Sequence, residues 1–235
     1  MKLKEKLHEN VYRYENAIED PAALIKAIED TENDPVIQAV VPAWKDWASS
    51  SADGVNFGKK KDLKLENLES LDPERKEKAE YIINTIREAI QRVATAFVKD
   101  RELNFEPNTS PFVGVSKYLP GCYMGAHFDA QAGDQSLQYS MIFYLNEDYD
   151  GGEISFIIRE PDLRLPENNH LRPEADINSP KNKDLVDFWL KPDAGDALIF
   201  PSTAPYRHQV HIMKSGAKYI IPGFIFFDGY KPEGY

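Results

Sequence analysis

The sequence predicts an α+β chain with a mainly β core: a jelly roll of two packed antiparallel sheets, backed by N-terminal helices. Three observations lead there. A long stretch before residue 105 places apolar residues three and four apart, the period of a helix with one buried face. After Pro107 the texture changes to short runs rich in Val, Ile, Phe and Tyr, punctuated by Gly, Pro and Asn. The 235 residues are 42% hydrophobic and 29% charged, the composition of a chain that buries one substantial core. We therefore expect residues 1–235 to form a single unit. Residues 1–105 would be a helical support layer and 106–235 the β core, with an insertion at about 159–183.

The first hundred residues read mostly as helix. Asp20-Pro21 has the form of an N-cap followed by Pro at the first helical position, opening a helix through about Asp30. Asp72-Pro73 repeats the device. Beyond it Ala79, Ile82, Ile83, Ile86, Ala89, Ile90, Val93 and Phe97 line one face of a helix ending near Lys99. Residues 40–67 lack periodicity and read as loop with short elements. Eight strands are expected in the second half: Phe112–Leu119, Tyr123–Phe128, Leu137–Leu145, Glu153–Ile158, Leu185–Leu190, Ala197–Phe200, Tyr206–Met213 and Lys218–Phe227. Between Arg159 and Lys183 lies a polar, Pro- and Asn-rich segment of the kind that serves as a lid or binding loop.

Charge and composition exclude several functions. Twenty-eight basic against 39 acidic residues leave a net charge of −11, which repels nucleic-acid backbones and anionic membranes. The densest basic run, Lys59-Lys60-Lys61, is followed at once by acids and reads as a solvated loop. The N-terminal stretch has no apolar core of a signal peptide, and no segment is apolar for long enough to span a membrane. Cys122 is the single cysteine, so no intrachain disulfide, cysteine zinc site or iron–sulfur cluster can form. A cytoplasmic location is the expectation.

The candidate chemistry rests on five histidines. His127 and Asp129 are two residues apart, which on a strand aims both side chains at the same face. On a second strand His208 shares a face with Val210 and Ile212, while His211 looks the other way and reads as structural or exposed. Two histidines and one carboxylate on two strands form the facial triad of a non-haem Fe(II) oxygenase. The same ligands serve zinc in a hydrolase. Lys218 lies ten residues after His208, past a turn at Ser215-Gly216, so adjacent antiparallel strands would bring it beside the metal. A buried ammonium needs an anionic partner, and a dicarboxylate cosubstrate would supply one. The bland readings are a Lys218 that snorkels to solvent and a His-Asp pair incidental to a lectin- or cupin-type binding module.

Four ordered blocks carry a family resemblance. They are YLPGCYMGAHFD (Tyr118–Asp129), the stretch Leu137–Phe156 with YLNEDYDGGEISF, KPDAGDALIFPS (Lys191–Ser202) and HQVHIMKSGAKY (His208–Tyr219). Over roughly residues 111–227 the chain resembles the 2-oxoglutarate/Fe(II)-dependent dioxygenases of the prolyl 4-hydroxylase-like group. The resemblance implies a double-stranded β-helix, with His127, Asp129 and His208 as iron ligands. It implies Lys218 as anchor of the distal carboxylate of 2-oxoglutarate, assisted by the hydroxyl of Tyr118. Fe(II), 2-oxoglutarate and O2, with ascorbate as a reductant, would be the cofactors. The implied reaction couples decarboxylation of 2-oxoglutarate to hydroxylation of a C–H bond, on a prolyl residue of a peptide or protein or, alternatively, on a free amino acid or other small metabolite. Tyr206 and Arg207, flanking His208, are candidates for the substrate mouth. The chain departs from the family at Ile154, where Thr is frequent, and at Leu137, where prolyl hydroxylases often carry Arg. It departs again at Phe224 and Phe226, in place of Trp and a polar residue.

Overall fold

The computed structural model describes residues 1–40, 44–46, 60–64, 68–110, 114–130, 137–158 and 186–226. The elements in chain order are β1 (Lys2–His8), β2 (Val11–Glu15), α1 (Pro21–Asn33), α2 (Pro35–Val40), β3 (Trp44–Asp46), β4 (Lys60–Lys64), α3 (Pro73–Asp100), β5 (Asn108–Thr109), β6 (Gly114–Tyr118), β7 (Met124–His127), β8 (Leu137–Tyr144), β9 (Asp150–Gly151), β10 (Ile154–Ile157), β11 (Phe188–Leu190), β12 (Ala197–Pro201), β13 (Arg207–Val210), β14 (Met213–Ser215) and β15 (Lys218–Phe226). The insertion expected at about 159–183, with Arg164 and His170, lies outside the described residues.

A large sheet runs β1-β2-β12-β8-β15-β6-β4-β3, with β5 paired to β15, and a smaller sheet runs β11-β10-β13-β7. Its described pairings are antiparallel, as the jelly-roll expectation required. The large sheet is covered on both faces. Tyr12 and Tyr14, Ala197 and Ile199, Met141 and Phe143, and Tyr219 and Ile221 point to the helices. Their neighbours Val11, Leu198, Phe200, Tyr144 and Ile220 point to the interior shared with the smaller sheet. The period-2 alternation of a strand thus distributes side chains between two cores instead of between core and water.

Both expected helix starts are present. Asp20 accepts a hydrogen bond from Ala23 N at 2.9 Å, and Asp72 accepts one from Arg75 N at 3.1 Å. The apolar face of α3 is buried from Ala79 to Val98 and packs on the outer face of the large sheet. The approach is close at Gly223, where a Cβ would stand 3.0 Å from Ile90 Cγ1. Phe97 is locked edge-on between Tyr12 (5.7 Å) and Tyr139 (4.8 Å).

Three expectations are corrected. The N-terminus is not mostly helix before α1: β1 and β2 form a hairpin, and β2 adds to the large sheet by pairing with β12. Its β1 strand is charged and exposed, a composition that protects a sheet edge. The Lys59-Lys60-Lys61 run is not wholly loop, because Lys60 and Lys61 belong to β4, which with β3 supplies the short elements expected within 40–67 and extends the other end of that sheet. The single strand expected over Tyr206–Met213 is two, because the ladder of β13 stops at Val210 and β14 pairs with β9. Among the described residues no helix is long and apolar enough to cross a membrane.

Truncating Phe97 to Ala removes the ring that joins helix to sheet. The expected loss is about 3–5 kcal/mol of unfolding free energy, measured by urea titration. A loss below about 1 kcal/mol would show that α3 is not integral to the core.

Candidate active site

Three of the expected site residues converge at one end of the interior. The smaller sheet pairs His208 directly with His127, and their rings lie 4.4 Å apart between centroids. Asp129 sits just past the end of β7 instead of within the strand, yet it still turns towards both rings. Its Oδ1 is 3.5 Å from His127 Nε2 and its Oδ2 is 3.6 Å from His208 Nε2. One ligand atom from each residue lies within 4.8 Å of the others.

Both imidazoles are aimed the same way. His127 Nδ1 donates to the carbonyl of Gly125 at 2.8 Å, and His208 Nδ1 donates to the carbonyl of Tyr206 at 3.3 Å. A carbonyl can only accept, so each Nδ1 carries a proton, and in the neutral ring Nε2 is left to present its lone pair towards Asp129. His208 also packs against Phe200 (4.7 Å) and Phe156 (5.8 Å). Burial pushes its pKa down to about 4, so it is neutral at pH 7. Burial alone would raise the Asp129 carboxyl. The facing His208 and His127, and a hydrogen bond from Ser140, outweigh it and hold the group well below the usual carboxylate range. Ser140 is itself bonded to Ser202 at 2.8 Å across the end of β8 and β12. Two imidazoles and a carboxylate are a donor set for a divalent transition metal with open positions left over.

Lys218 is fully buried at the other part of this interior. The expected route to it was wrong in one respect: β15 is not the neighbour of β13 but belongs to the opposite sheet. Lys218 instead lies directly across from Tyr118 in the β15–β6 ladder. Its Nζ donates to the carbonyl of Gly152 at 2.7 Å and lies 5.5, 5.1 and 5.8 Å from the ring centroids of Tyr118, Tyr144 and Tyr149. Gly152 has a φ of +68°, the left-handed region that favours glycine, and a Cβ there would clash with Met213 Sδ at 2.4 Å. No carboxylate forms an ion pair with Lys218 among the described residues, and burial pushes its pKa down to about 7 against the pull of Glu153. The hydroxyls of Tyr144 and Tyr149 are buried there with no hydrogen-bond partner. A buried ammonium and two unsatisfied phenols make a socket that fits a carboxylate. Sequence reasoning missed Tyr144 and Tyr149, since nothing in a strand of aromatics marks which ring has a neighbour.

The remaining candidates separate. Tyr206 is packed in the interior core, and its hydroxyl accepts from Asn10 Nδ2 at 2.6 Å. Arg207 is partly exposed, with its guanidinium 5.1 Å from the ring of Phe128, between the two residues of the His-x-Asp pair. His211 is buried, and its Nε2 bonds Ser155 Oγ at 2.9 Å and Gln209 Nε2 at 3.1 Å.

Comparison with known proteins agrees with this geometry. Residues 113–226 match the sequence model of the 2OG-Fe(II) oxygenase superfamily. This β core belongs to that superfamily. The chain is a 2-oxoglutarate/Fe(II)-dependent oxygenase. No curated protein matches its sequence. Among solved structures, the oxygenase is similar to a Pseudomonas putida prolyl-4-hydroxylase, with a TM-score of 0.54 and 16% identity over 92% of each chain. It is similar to a Trichoplax adhaerens prolyl hydroxylase in complex with a hypoxia-inducible-factor peptide (TM-score 0.56, 14% identity, 93% of this chain and 84% of that one). A third is the 2OG complex of a viral collagen prolyl hydroxylase from Paramecium bursaria Chlorella virus-1 (0.52, 16%, 93% and 96%). At such identities the likeness is one of fold, the jelly roll that the strand pattern predicted.

The socket of the oxygenase has a pH signature. An anion needs the Lys218 ammonium, which in the free protein is lost as pH rises through about 7. Affinity for 2-oxoglutarate, measured by calorimetry with Mn(II) present, is expected to be full below that pH and to fall about tenfold per unit above it. An affinity unchanged between about pH 7 and 9 would contradict the socket.

Proposed function

We propose that this oxygenase hydroxylates a prolyl residue of a peptide or protein, with His127, Asp129 and His208 as the iron ligands. Lys218 and Tyr118 would seat the distal carboxylate of 2-oxoglutarate. The observation that carries the site assignment is the pairing of two features in one interior: a His-Asp-His set and a buried ammonium with no ion pair among the described residues. A cation would complete the first and an anion the second. Support for the prolyl substrate comes from the fold relatives, which are named as prolyl hydroxylases, one of them holding a peptide.

Bound Fe(II), with 2-oxoglutarate and O2, supplies the oxidation: 2-oxoglutarate and O2 become succinate and CO2, and the second oxygen atom enters the substrate C–H bond as hydroxyl. The protein's own contribution is positional. The Nδ1 bonds to Gly125 and Tyr206 fix the imidazole tautomers, Ser140 steadies Asp129, and Lys218 sets the depth of the dicarboxylate. The rings of Phe156 and Phe200 keep water from His208. Arg207, with its guanidinium over the ring of Phe128, would meet the substrate. Residues 1–105 would serve as a support layer, and a reducing compartment such as the cytoplasm suits the single buried Cys122.

Succinate formation is measured in air with Fe(II), 2-oxoglutarate, ascorbate and a pool of proline-containing peptides. The expected result is succinate release stimulated by a subset of peptides, each gaining one oxygen atom on proline. Asp129→Ala and His208→Ala should fall to background. Stimulation by free amino acids alone would move the substrate to the small-molecule class. Full turnover by Asp129→Ala would refute the ligand assignment.

A further inference from the structure

His127 and His208 are oriented by the same device, a bond from Nδ1 to the carbonyl two residues earlier, but the two carbonyls are held differently. Gly125 lies within β7. Tyr206 lies just ahead of β13, outside the ladder that starts at Arg207, and its bond to His208 is the longer one, 3.3 Å against 2.8 Å. The aim of His208 therefore depends on what fixes Tyr206. Its backbone N donates to Thr203 O at 3.1 Å. Its hydroxyl reaches out of this segment altogether and accepts from Asn10 Nδ2 at 2.6 Å.

Asn10 occupies the turn between β1 and β2. Its other amide atom, Oδ1, accepts from Arg101 Nη2 at 3.1 Å, and Arg101 ends α3 with its guanidinium 5.1 Å from the ring of Tyr12. His8, the last residue of β1, sets its ring edge-on to Tyr206 at 6.2 Å and stacks on Phe188 at 6.3 Å. Phe188 stacks in turn on Phe156, the ring against His208. The N-terminal hairpin thus touches the ligand's surroundings twice, once through a hydrogen-bonded chain and once through stacked rings.

We infer that Asn10 and Tyr206 are positioning residues for His208: the chain Arg101–Asn10–Tyr206 fixes the carbonyl that sets the tautomer and direction of this metal ligand. The inference rests on the reading of His208 as a ligand. It gives the β1–β2 hairpin a part in the site as well as in the sheet. Removing the link should leave the fold and the three ligands in place and loosen the metal.

The test titrates the full-length protein with Co(II), following affinity and the visible ligand-field spectrum, with no substrate present. Tyr206→Phe, which keeps the ring, and Asn10→Ala are each expected to weaken Co(II) about tenfold and to shift the spectrum. The double variant should lose no more than either single one, since both cut the same link. Asn10→Asp, which can accept from the Tyr206 hydroxyl and still pair with Arg101, should restore affinity. Lys4→Ala, in the same hairpin but bonded to Asp193 and Asp196, is the control that costs stability without touching the metal. Wild-type affinity and spectrum in both Asn10→Ala and Tyr206→Phe would overturn the inference, whatever their melting temperatures. Additive losses in the double variant would overturn it too. A wild-type protein that binds no Co(II) would instead remove the ligand assignment beneath it, a result told apart because no variant comparison is then needed.

Discussion

Pairing β13 to β7 in the register that sets His208 opposite His127 is the constraint around which this site is built. It forces two imidazoles to within 4.4 Å of one another in an interior lined by phenylalanines. Two charged imidazolium groups could not occupy such a place, so burial keeps His208 neutral, and a carbonyl behind each ring turns the lone pairs inward. Asp129 then faces both. With one negative charge and two lone pairs aimed at a common point, the cluster attracts a cation on electrostatic grounds alone.

The same low-dielectric interior carries the opposite problem at Lys218. An ammonium with a backbone carbonyl and three aromatic rings around it is partly compensated, and its pKa has fallen to about 7. A carboxylate would complete that compensation and satisfy the Tyr144 and Tyr149 hydroxyls at the same time. A ligand with a carboxylate at one end and metal-binding oxygens at the other suits both halves of the interior. The departure at Ile154, where relatives of this superfamily often have a threonine hydroxyl, is understandable on this basis. Ile154 is buried in the interior core, and phenols supply the hydroxyl groups near the ammonium.

Much of this was legible in the sequence, and the parts that were not failed for identifiable reasons. Helix α3 was readable because its apolar residues keep one period from Ala79 to Phe97 and Asp72-Pro73 marks its start. The residues of the His127–Asp129–His208 cluster were readable because His-x-Asp and the later His-x-Val block are local patterns. The β1–β2 hairpin was not, because the charged β1 has no buried face to mark it and β2 earns its place by pairing with β12 far along the chain. Lys218 was assigned correctly to the interior but by a faulty path, since the turn between β13 and β15 crosses from one sheet to the other. Long-range pairing of this kind leaves no trace in local periodicity. Asn10 and Tyr149 show the same limit, for their importance lies in neighbours that only the fold provides.

The central claim is that one interior holds both a metal and a dicarboxylate. Anaerobic addition of Fe(II) and 2-oxoglutarate to the apo-protein, read as the visible metal-to-ligand charge-transfer band, tests it most directly. The account predicts a band that is absent in His208→Ala and that needs far more 2-oxoglutarate to develop in Lys218→Ala. No band from correctly folded wild-type protein, or an undiminished one in His208→Ala, would contradict it.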